Sequence, residues 1–134
     1  METFDFKDGN GPVRAHKHVN GGGWVANTAN VSETAFVGPN ARVFGNAQVS
    51  GSARVSGYAR VFGKTWVSGK AGVSDNAWVF GYAQVSDGAR VSGNAEVSGN
   101  ARVSSYAEVS GNAEVSGNAL VSDDTAVSGN TQLS

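Results

Sequence analysis

The sequence predicts an all-β fold, a parallel β-helix in which the chain winds as a triangular prism. A valine falls on every sixth residue from Val25 to Val127, and Leu133 takes the next place in the series. A glycine, alanine or threonine lies two residues before each of these positions, from Gly23 to Thr131. A fixed-period repeat this short indicates that each unit is one side of a coil and that stacked coils share one core.

The number of sides per coil follows from three phenylalanines. Phe44, Phe62 and Phe80 each follow the repeat valine, at a place that is mostly serine elsewhere, and each is separated from the next by three repeat units. Three six-residue units per coil would stack these rings in one vertical row at steps of about 4.8 Å. The repeat, residues 24–134, then makes about six coils in a prism about 30 Å tall. The alternative is that the phenylalanines fell at this spacing by chance.

Residues 1–23 precede the regular repeat, and the sequence predicts that they form a short N-terminal cap. Apolar and polar residues alternate from Glu2 to Asp8, which is typical of a short strand ending at the turn-forming residues 8–12. Lys17 occupies the first small-residue place, so the core pattern is not yet established there. A cap at this point would cover the strand edge at the open end of the stack.

Each repeat unit combines a very short strand with a corner. In residues 95–97, Ala-Glu-Val, the side chains point inward, outward and inward, and residues 98–100, Ser-Gly-Asn, have the composition of a turn. Burying one valine contributes about 1.5 kcal/mol, whereas ordering the backbone costs about 1 to 2 kcal/mol per residue. A single coil would therefore not be stable alone. Three glycines, residues 21–23, give the backbone freedom to enter the first coil tightly.

The C-terminal end of the repeat is abrupt. Residues 131–134, Thr-Gln-Leu-Ser, provide no capping helix. Three interpretations are open: another chain covers the last strand edge, the sequence is a fragment of a longer chain, or the last coil frays.

Composition excludes several classes of protein. There is no cysteine, so neither a disulfide framework nor a thiolate zinc site is expected. No apolar run reaches membrane-spanning length, and the N-terminus lacks a basic region followed by a hydrophobic one. We therefore expect a soluble, cytoplasmic protein without membrane contact.

Charge is distributed unevenly along the chain. Residues 1–67 carry seven Lys/Arg and four Asp/Glu, a net charge of +3, while residues 68–134 carry three and seven, a net charge of −4. An elongated body would thus be polarised along its axis, which would favour head-to-tail association or bias the approach of a partner. The overall net charge of −1 argues against a general polyanion binder.

The repeat resembles the hexapeptide repeat of left-handed parallel β-helix proteins. The unit Asn-Ala-Glu-Val-Ser-Gly at residues 94–99 is representative, and the resemblance covers residues 24–134. It implies left-handed coiling and a relationship to acyltransferases and γ-class carbonic anhydrases, which are commonly homotrimers with sites between neighbouring prisms. The Gly-Gly-Trp-Val entry at residues 22–25 is similar to that of uncharacterised bacterial and phage proteins described only as acetyltransferase-like. The motif is informative about fold and weak for activity.

The catalytic residues of those enzymes find few counterparts here. The resemblance to γ-class carbonic anhydrases would require three zinc-binding histidines, but the chain has only His16 and His18, both ahead of the repeat. We therefore predict no metal site, no cofactor and no catalytic residue. Hexapeptide acyltransferases typically use a histidine as general base, and His16 or His18 could serve only by reaching a neighbouring chain. The alternative is that both are ordinary cap or surface histidines.

A candidate interaction surface emerges when outward side chains are sorted into columns that advance by one coil per step. Basic and aromatic residues gather on one side of the second to fourth coils. We call this set the ridge: Arg42, Phe44, Arg60, Phe62, Lys64, Trp66, Trp78, Phe80 and Tyr82. Such a composition is typical of protein contact sites. Two alternatives are that stacked rings, with Arg60 over Trp78, only stiffen a corner, and that the ridge binds nucleic acid, which the acidic body disfavours.

The sequence therefore predicts a non-enzymatic structural or protein-binding module that forms a homo-oligomer through the ridge. A foreign protein partner is also possible, and a phage origin would suggest a host factor. The alternative is an acyl-CoA-dependent O- or N-acyltransferase with a site between subunits.

Overall fold

The computed structural model describes residues 2–134, and these form an all-β solenoid without helices. After the first three strands, each strand is two residues long, because only the outward residue and the repeat valine are extended between corners. The strands are β1 Thr3–Asp5, β2 Pro12–Lys17, β3 Trp24–Ala26, β4 Asn30–Val31, β5 Phe36–Val37, β6 Arg42–Val43, β7 Gln48–Val49, β8 Arg54–Val55, β9 Arg60–Val61, β10 Trp66–Val67, β11 Gly72–Val73, β12 Trp78–Val79, β13 Gln84–Val85, β14 Arg90–Val91, β15 Glu96–Val97, β16 Arg102–Val103, β17 Glu108–Val109, β18 Glu114–Val115, β19 Leu120–Val121, β20 Ala126–Val127 and β21 Gln132–Leu133.

The strands form three sheets, one for each side of the coil. Face one contains β3, β6, β9, β12, β15, β18 and β21; face two runs from β4 to β19, and face three from β5 to β20. Every neighbour within a face is parallel and lies three repeat units further along the chain, as in the pairing of Val61 with Val79. The predicted fold class is confirmed: parallel strands stacked at intervals of one coil form a solenoid of about six coils.

The interior is a thin column of valine and alanine. The repeat valines from Val37 to Val115 and the alanines between them are almost fully buried in one continuous cluster. Thr65 takes an alanine place and is also buried; its hydroxyl donates a 2.6 Å hydrogen bond to the carbonyl oxygen of Phe62. That bond satisfies a polar atom that would otherwise be costly in the core. Threonine is thus accommodated in the repeat as a small side chain.

The N-terminal segment forms an antiparallel hairpin that extends face one. β1 pairs with β2, and β2 pairs in turn with β3, with Lys17 opposite Trp24. The short strand expected within residues 2–8 is therefore present as β1, and the turn-forming residues 8–12 connect it to β2. Because β2 occupies the outer edge of β3, the first strand of face one is not exposed at the N-terminal end.

The three glycines ahead of the first coil close its corner tightly. Gly21 adopts a φ of 109°, and a Cβ added there would clash with the carbonyl oxygen of Val37. The Val37 N–H donates to the carbonyl oxygen of Asn20, and the carbonyl of Val37 accepts from the Gly23 N–H, both at 3.0 Å. Only a residue without a side chain fits this approach, as the sequence indicated.

Candidate interaction surface

The predicted row of phenylalanines is present at the corner between faces one and two. Phe44, Phe62 and Phe80 stack with ring centroids 4.8 and 5.1 Å apart and planes within 3° of parallel. Phe44 is only 3% exposed, and the other two are half-buried. These rings stack on one another, and Phe62 and Phe80 also contact Trp78 edge-on.

The cap extends this row by a fourth ring. Phe6 stacks on Phe44 with centroids 4.8 Å apart and packs in one buried cluster with Ala26, which holds the corresponding corner place in the first coil. Phe4 contacts Phe6 edge-on and stacks on Trp24, both at 4.9 Å. The cap is thus joined to the solenoid by aromatic packing. Sequence reasoning missed this role, because Phe4 and Phe6 lie outside the six-residue phase.

The two arginines of face one are held by aromatic rings and backbone carbonyls. The Arg60 guanidinium lies 5.6 Å from the centre of the Trp78 ring, and its Nη1 donates to the carbonyl oxygen of Phe6 at 3.2 Å. The Arg42 guanidinium lies 4.8 Å from the centre of the Phe4 ring. Its Nη1 donates to the carbonyl oxygens of Pro39 (3.1 Å) and Ala41 (2.9 Å). Cation–π contacts and carbonyl bonds fix both side chains without using a carboxylate.

Arg42 and Arg60 are directly opposite each other in neighbouring strands of face one. Burial of the Arg42 guanidinium, and next the positive charge of Arg60, lower the pKa of Arg42 below its ordinary value. Both causes penalise the charged form. This end of face one therefore concentrates positive charge.

The exposed part of the ridge consists of three aromatic side chains and one lysine. Trp66, Trp78 and Tyr82 are 54%, 40% and 58% exposed. The Lys64 Nζ lies 5.6 Å from the centre of the Tyr82 ring, so the lysine stem and the ring cover each other. These four residues can contact a partner directly, whereas the three phenylalanines, which are buried or half-buried, cannot do so to the same extent.

A cleft of about 320 Å³ continues the exposed ridge toward the C-terminus. Three of its lining residues belong to the ridge, and three were not predicted as site residues; the lining set is Lys64, Trp66, Tyr82, Gln84, Asn100 and Arg102. Gln84 pairs with Trp66 on one side and with Arg102 on the other within face two. The columns would have found all three additional residues, because these continue the columns of Trp66 and Tyr82.

The two histidines lie in different environments. His18 is buried, and its Nε2 donates to the carbonyl oxygen of Ala35 at 2.8 Å, at the N-terminal end of the core. His16 is exposed, with its Nδ1 2.7 Å from Asn27 Oδ1. The two rings therefore do not form one cluster on the cap. Within residues 2–134, no three His, Asp or Glu side chains are grouped in a way that could hold a metal ion.

Comparison with known families gives a match to a short part of the repeat. The model of the YdcK beta solenoid repeat matches residues 89–105, a stretch that contains one strand from each face. The match supports a repeat β-helix. It covers about one coil and not the whole chain. No curated protein and no solved structure gave a significant match. No helix in the part of the chain that the structure describes is long and apolar enough to cross a membrane.

Proposed function

We propose that this protein is a non-enzymatic, rigid binding module whose ridge is a protein contact surface. The observation that carries the proposal is the exposure of Trp66, Trp78 and Tyr82, of which Trp78 packs edge-on against the stacked rings of Phe62 and Phe80. Large aromatic side chains held in place lose little conformational freedom on binding, and together with arginine they dominate the energetics of protein interfaces. A scaffold of six coils stacked through backbone hydrogen bonds presents them in a fixed arrangement.

The proposal includes the finer assignment suggested by the sequence. We propose a left-handed hexapeptide-repeat protein that acts in the cytoplasm, related to acetyltransferase-like proteins of bacteria and phages, and that associates with its own copies. A phage-encoded chain would use the same ridge to occupy a host factor. The supporting observations are the uninterrupted repeat and the clustering of Trp66, Tyr82 and Lys64 around one cleft.

The acyltransferase alternative has less support from the geometry. A general base must reach the group whose proton it removes. His18 is buried and already bonded to Ala35, so its Nε2 is engaged within the cap. His16 is exposed but lies in the cap beside Asn27. Neither His16 nor His18 lines the cleft at Trp66. We therefore do not assign either histidine a catalytic role.

The test replaces the exposed ridge while leaving the stacked rings intact. The double variant Trp66→Ser and Tyr82→Ser should bind a protein partner or its own copies at least about tenfold more weakly, because hot-spot aromatics contribute about 2 kcal/mol or more each. Pull-down from a host lysate and light scattering measure the two kinds of partner. Phe62 is unsuitable as a target, since it packs between Phe44 and Phe80.

The matched control is Tyr106→Ser. Tyr106 is 72% exposed and lies at a different corner, so its loss removes a comparable surface aromatic outside the ridge. Circular dichroism of all variants checks that the β signature is unchanged. Equal partner capture and equal mass for the double variant, the control and the wild type would refute the ridge as a contact surface.

A further inference from the structure

The outward side chains of face one form a single column in strict register. Successive strands pair Trp24 with Arg42, Arg42 with Arg60, Arg60 with Trp78, Trp78 with Glu96, Glu96 with Glu114, and Glu114 with Gln132. Along the prism, the column therefore reads tryptophan, two arginines, tryptophan, two glutamates and glutamine. Trp78 is its centre, with three rows on either side.

Both charged pairs in this column set like charges against each other. Arg42 is directly opposite Arg60, and Glu96 is directly opposite Glu114. Like charges at directly opposed positions of a sheet are destabilising. The rows that flank them, occupied by Trp24, Trp78 and Gln132, carry no opposite charge, although Trp78 gives Arg60 a cation–π contact. An isolated chain thus carries two repulsive pairs of opposite sign on one face.

We propose that face one binds a second copy of the same chain in antiparallel orientation, about a two-fold axis that runs along β12 at Trp78. This inference rests on the proposed function and names the partner. The axis places Arg60 opposite Glu96 of the second copy and Arg42 opposite Glu114 of the second copy. Each repulsive pair then faces a pair of the opposite sign, and the two Trp78 side chains meet at the centre.

Charge complementarity selects this orientation over the parallel one. In a parallel side-by-side arrangement, Arg42 and Arg60 would face their own copies, and so would Glu96 and Glu114. Juxtaposed like charges at an interface cost several kcal/mol and suppress the wrong arrangement. A two-fold contact is isologous, which means that both copies use the same surface. A single column can form such a contact when its charges are complementary to those of the same column read in the opposite direction.

The other two faces lack this pattern. The column of face two carries a single charge, Arg102, among uncharged side chains. On face three, Arg90 is directly opposite Glu108 of its own chain, so that pair is already complementary without a second copy. Face one is therefore the face on which like charges are paired within the chain and a second copy would supply the opposite charges.

The cap fits the same arrangement. Phe4 stacks on Trp24 and lies 4.8 Å from the Arg42 guanidinium, so the segment around it borders the first two rows of face one. In the antiparallel dimer this segment faces Glu114 and Gln132 of the second copy, both of which are exposed. A cleft beside Arg42 and Arg60 is also lined by Lys7 and Asp5, which leaves its net charge positive and suited to a glutamate.

The experiment exchanges charges across the proposed axis. Wild type should sediment as a dimer, with an affinity that falls as salt is added. Arg60→Glu alone and Glu96→Arg alone should each be monomeric, with dimer dissociation constants raised at least about tenfold. Each change also creates an opposite-charge pair within its own chain, with Arg42 or Glu114. Because Arg60→Glu also removes the hydrogen bond from Arg60 to the carbonyl oxygen of Phe6, circular dichroism checks that both variants keep the β signature.

Mixing the two single variants gives the decisive measurement. In a heterodimer of Arg60→Glu with Glu96→Arg, every pair across the axis is again of opposite charge, so the mixture should form a one-to-one dimer. The chain carrying both changes should dimerise by itself for the same reason. Arg54→Glu on face three, where the neighbours in the column are the uncharged Phe36 and Gly72, is the matched control and should remain dimeric.

The outcomes separate this inference from the proposed function. Monomeric wild type, unaffected single variants or a mixture that stays monomeric would overturn the antiparallel dimer. If those results come with loss of partner capture by the Trp66 and Tyr82 double variant, the binding function stands and the partner is a different protein. Restored association in the mixture supports the dimer, because a foreign partner cannot produce this reciprocal rescue.

Discussion

From Gly45 to Gly129, one residue at each corner of the solenoid adopts a positive φ, and the coils stack there with little space between backbones. Gly63, with a φ of 73°, is typical: a Cβ added to it would lie 2.9 Å from the amide nitrogen of Gly81 in the next coil. Asp75 and Asp87 hold the same kind of corner at φ values of 59° and 57°. The Asp75 carboxylate accepts a hydrogen bond from the backbone N–H of Gly93 (3.0 Å). The Asp87 carboxylate accepts one from the backbone N–H of Ser105 in the next coil (3.2 Å). Bonds of this kind offset the conformational cost of a side chain.

The corner glycines should therefore be sensitive to alanine, while glycine on a flat side should not. Gly63→Ala should lower the free energy of unfolding by about 2 kcal/mol or more, because it combines an unfavourable φ with a backbone clash. Gly72→Ala is the control, since Gly72 has no positive φ and its added Cβ would meet nothing closer than 4.0 Å. It should change stability by no more than about 0.5 kcal/mol, or raise it slightly. Urea unfolding followed by circular dichroism distinguishes the two, and equal midpoints would contradict the corner argument.

At the scale of elements, the cap is held by its aromatic residues as well as by backbone pairing. β1 has only β2 as a neighbour in its sheet, so side-chain contacts from β1 and the residues after it must help to fix the hairpin. Phe6 supplies these contacts through Phe44, and its carbonyl accepts from Arg60, 54 residues away in the chain. The aromatic row thus links the cap to the second and third coils.

Removing the first ring of this row should loosen the cap before the solenoid. Phe6→Ala should cost about 3 to 5 kcal/mol of packing free energy, the usual range for a buried phenylalanine. Hydrogen exchange should accelerate at the amides of β1 and β2, and remain unchanged in β15 and β18, because coils interact with nearest neighbours. Tyr58→Ala, at an exposed corner, is the control and should leave all these rates unaltered. Uniformly faster exchange along the whole chain after Phe6→Ala would contradict a cap-specific role.

At the scale of the whole molecule, the solenoid is a stack in which position along the axis is set by residue number. In the repeat, each strand pairs with the strand three repeat units away. An insertion or deletion of a whole number of coils therefore keeps this pairing, whereas any other change of length shifts it. A shift of one residue exchanges the inward and outward sides of every later strand.

Deleting one full coil should consequently preserve the fold. Removal of residues 96–113 joins equivalent places in two coils, keeps every later valine inward, and should leave the β signature intact with a reduced melting temperature. Removal of residues 96–112 deletes one residue fewer, moves the later valines outward, and should unfold or aggregate the segment after the deletion, residues 113–134. Circular dichroism and light scattering measure both variants. Equal stability of the two deletions would show that register is not imposed by the inward column.

The ridge was partly predictable from the columns. Sorting the outward residues by coil placed Trp66 and Tyr82 on neighbouring columns, and the structure brings both to one cleft. The columns did not reveal that Phe44 is buried, because its covering residue, Phe6, comes from the cap. The role of the ridge in binding stays a prediction.

The sequence by itself determined the coil of three sides, the inward valines and alanines, and the row of Phe44, Phe62 and Phe80. In a solenoid these follow from spacing alone, since each residue contacts the residue one period away. Only the tertiary structure decided how residues outside the period are used. Phe6 completes the aromatic row, and its carbonyl binds Arg60, because an antiparallel hairpin folds onto face one with a register that no repeat encodes. Local periodicity fixes the position of each repeat residue along the stack. The position of the cap depends instead on the shape and polarity of the surface against which it packs.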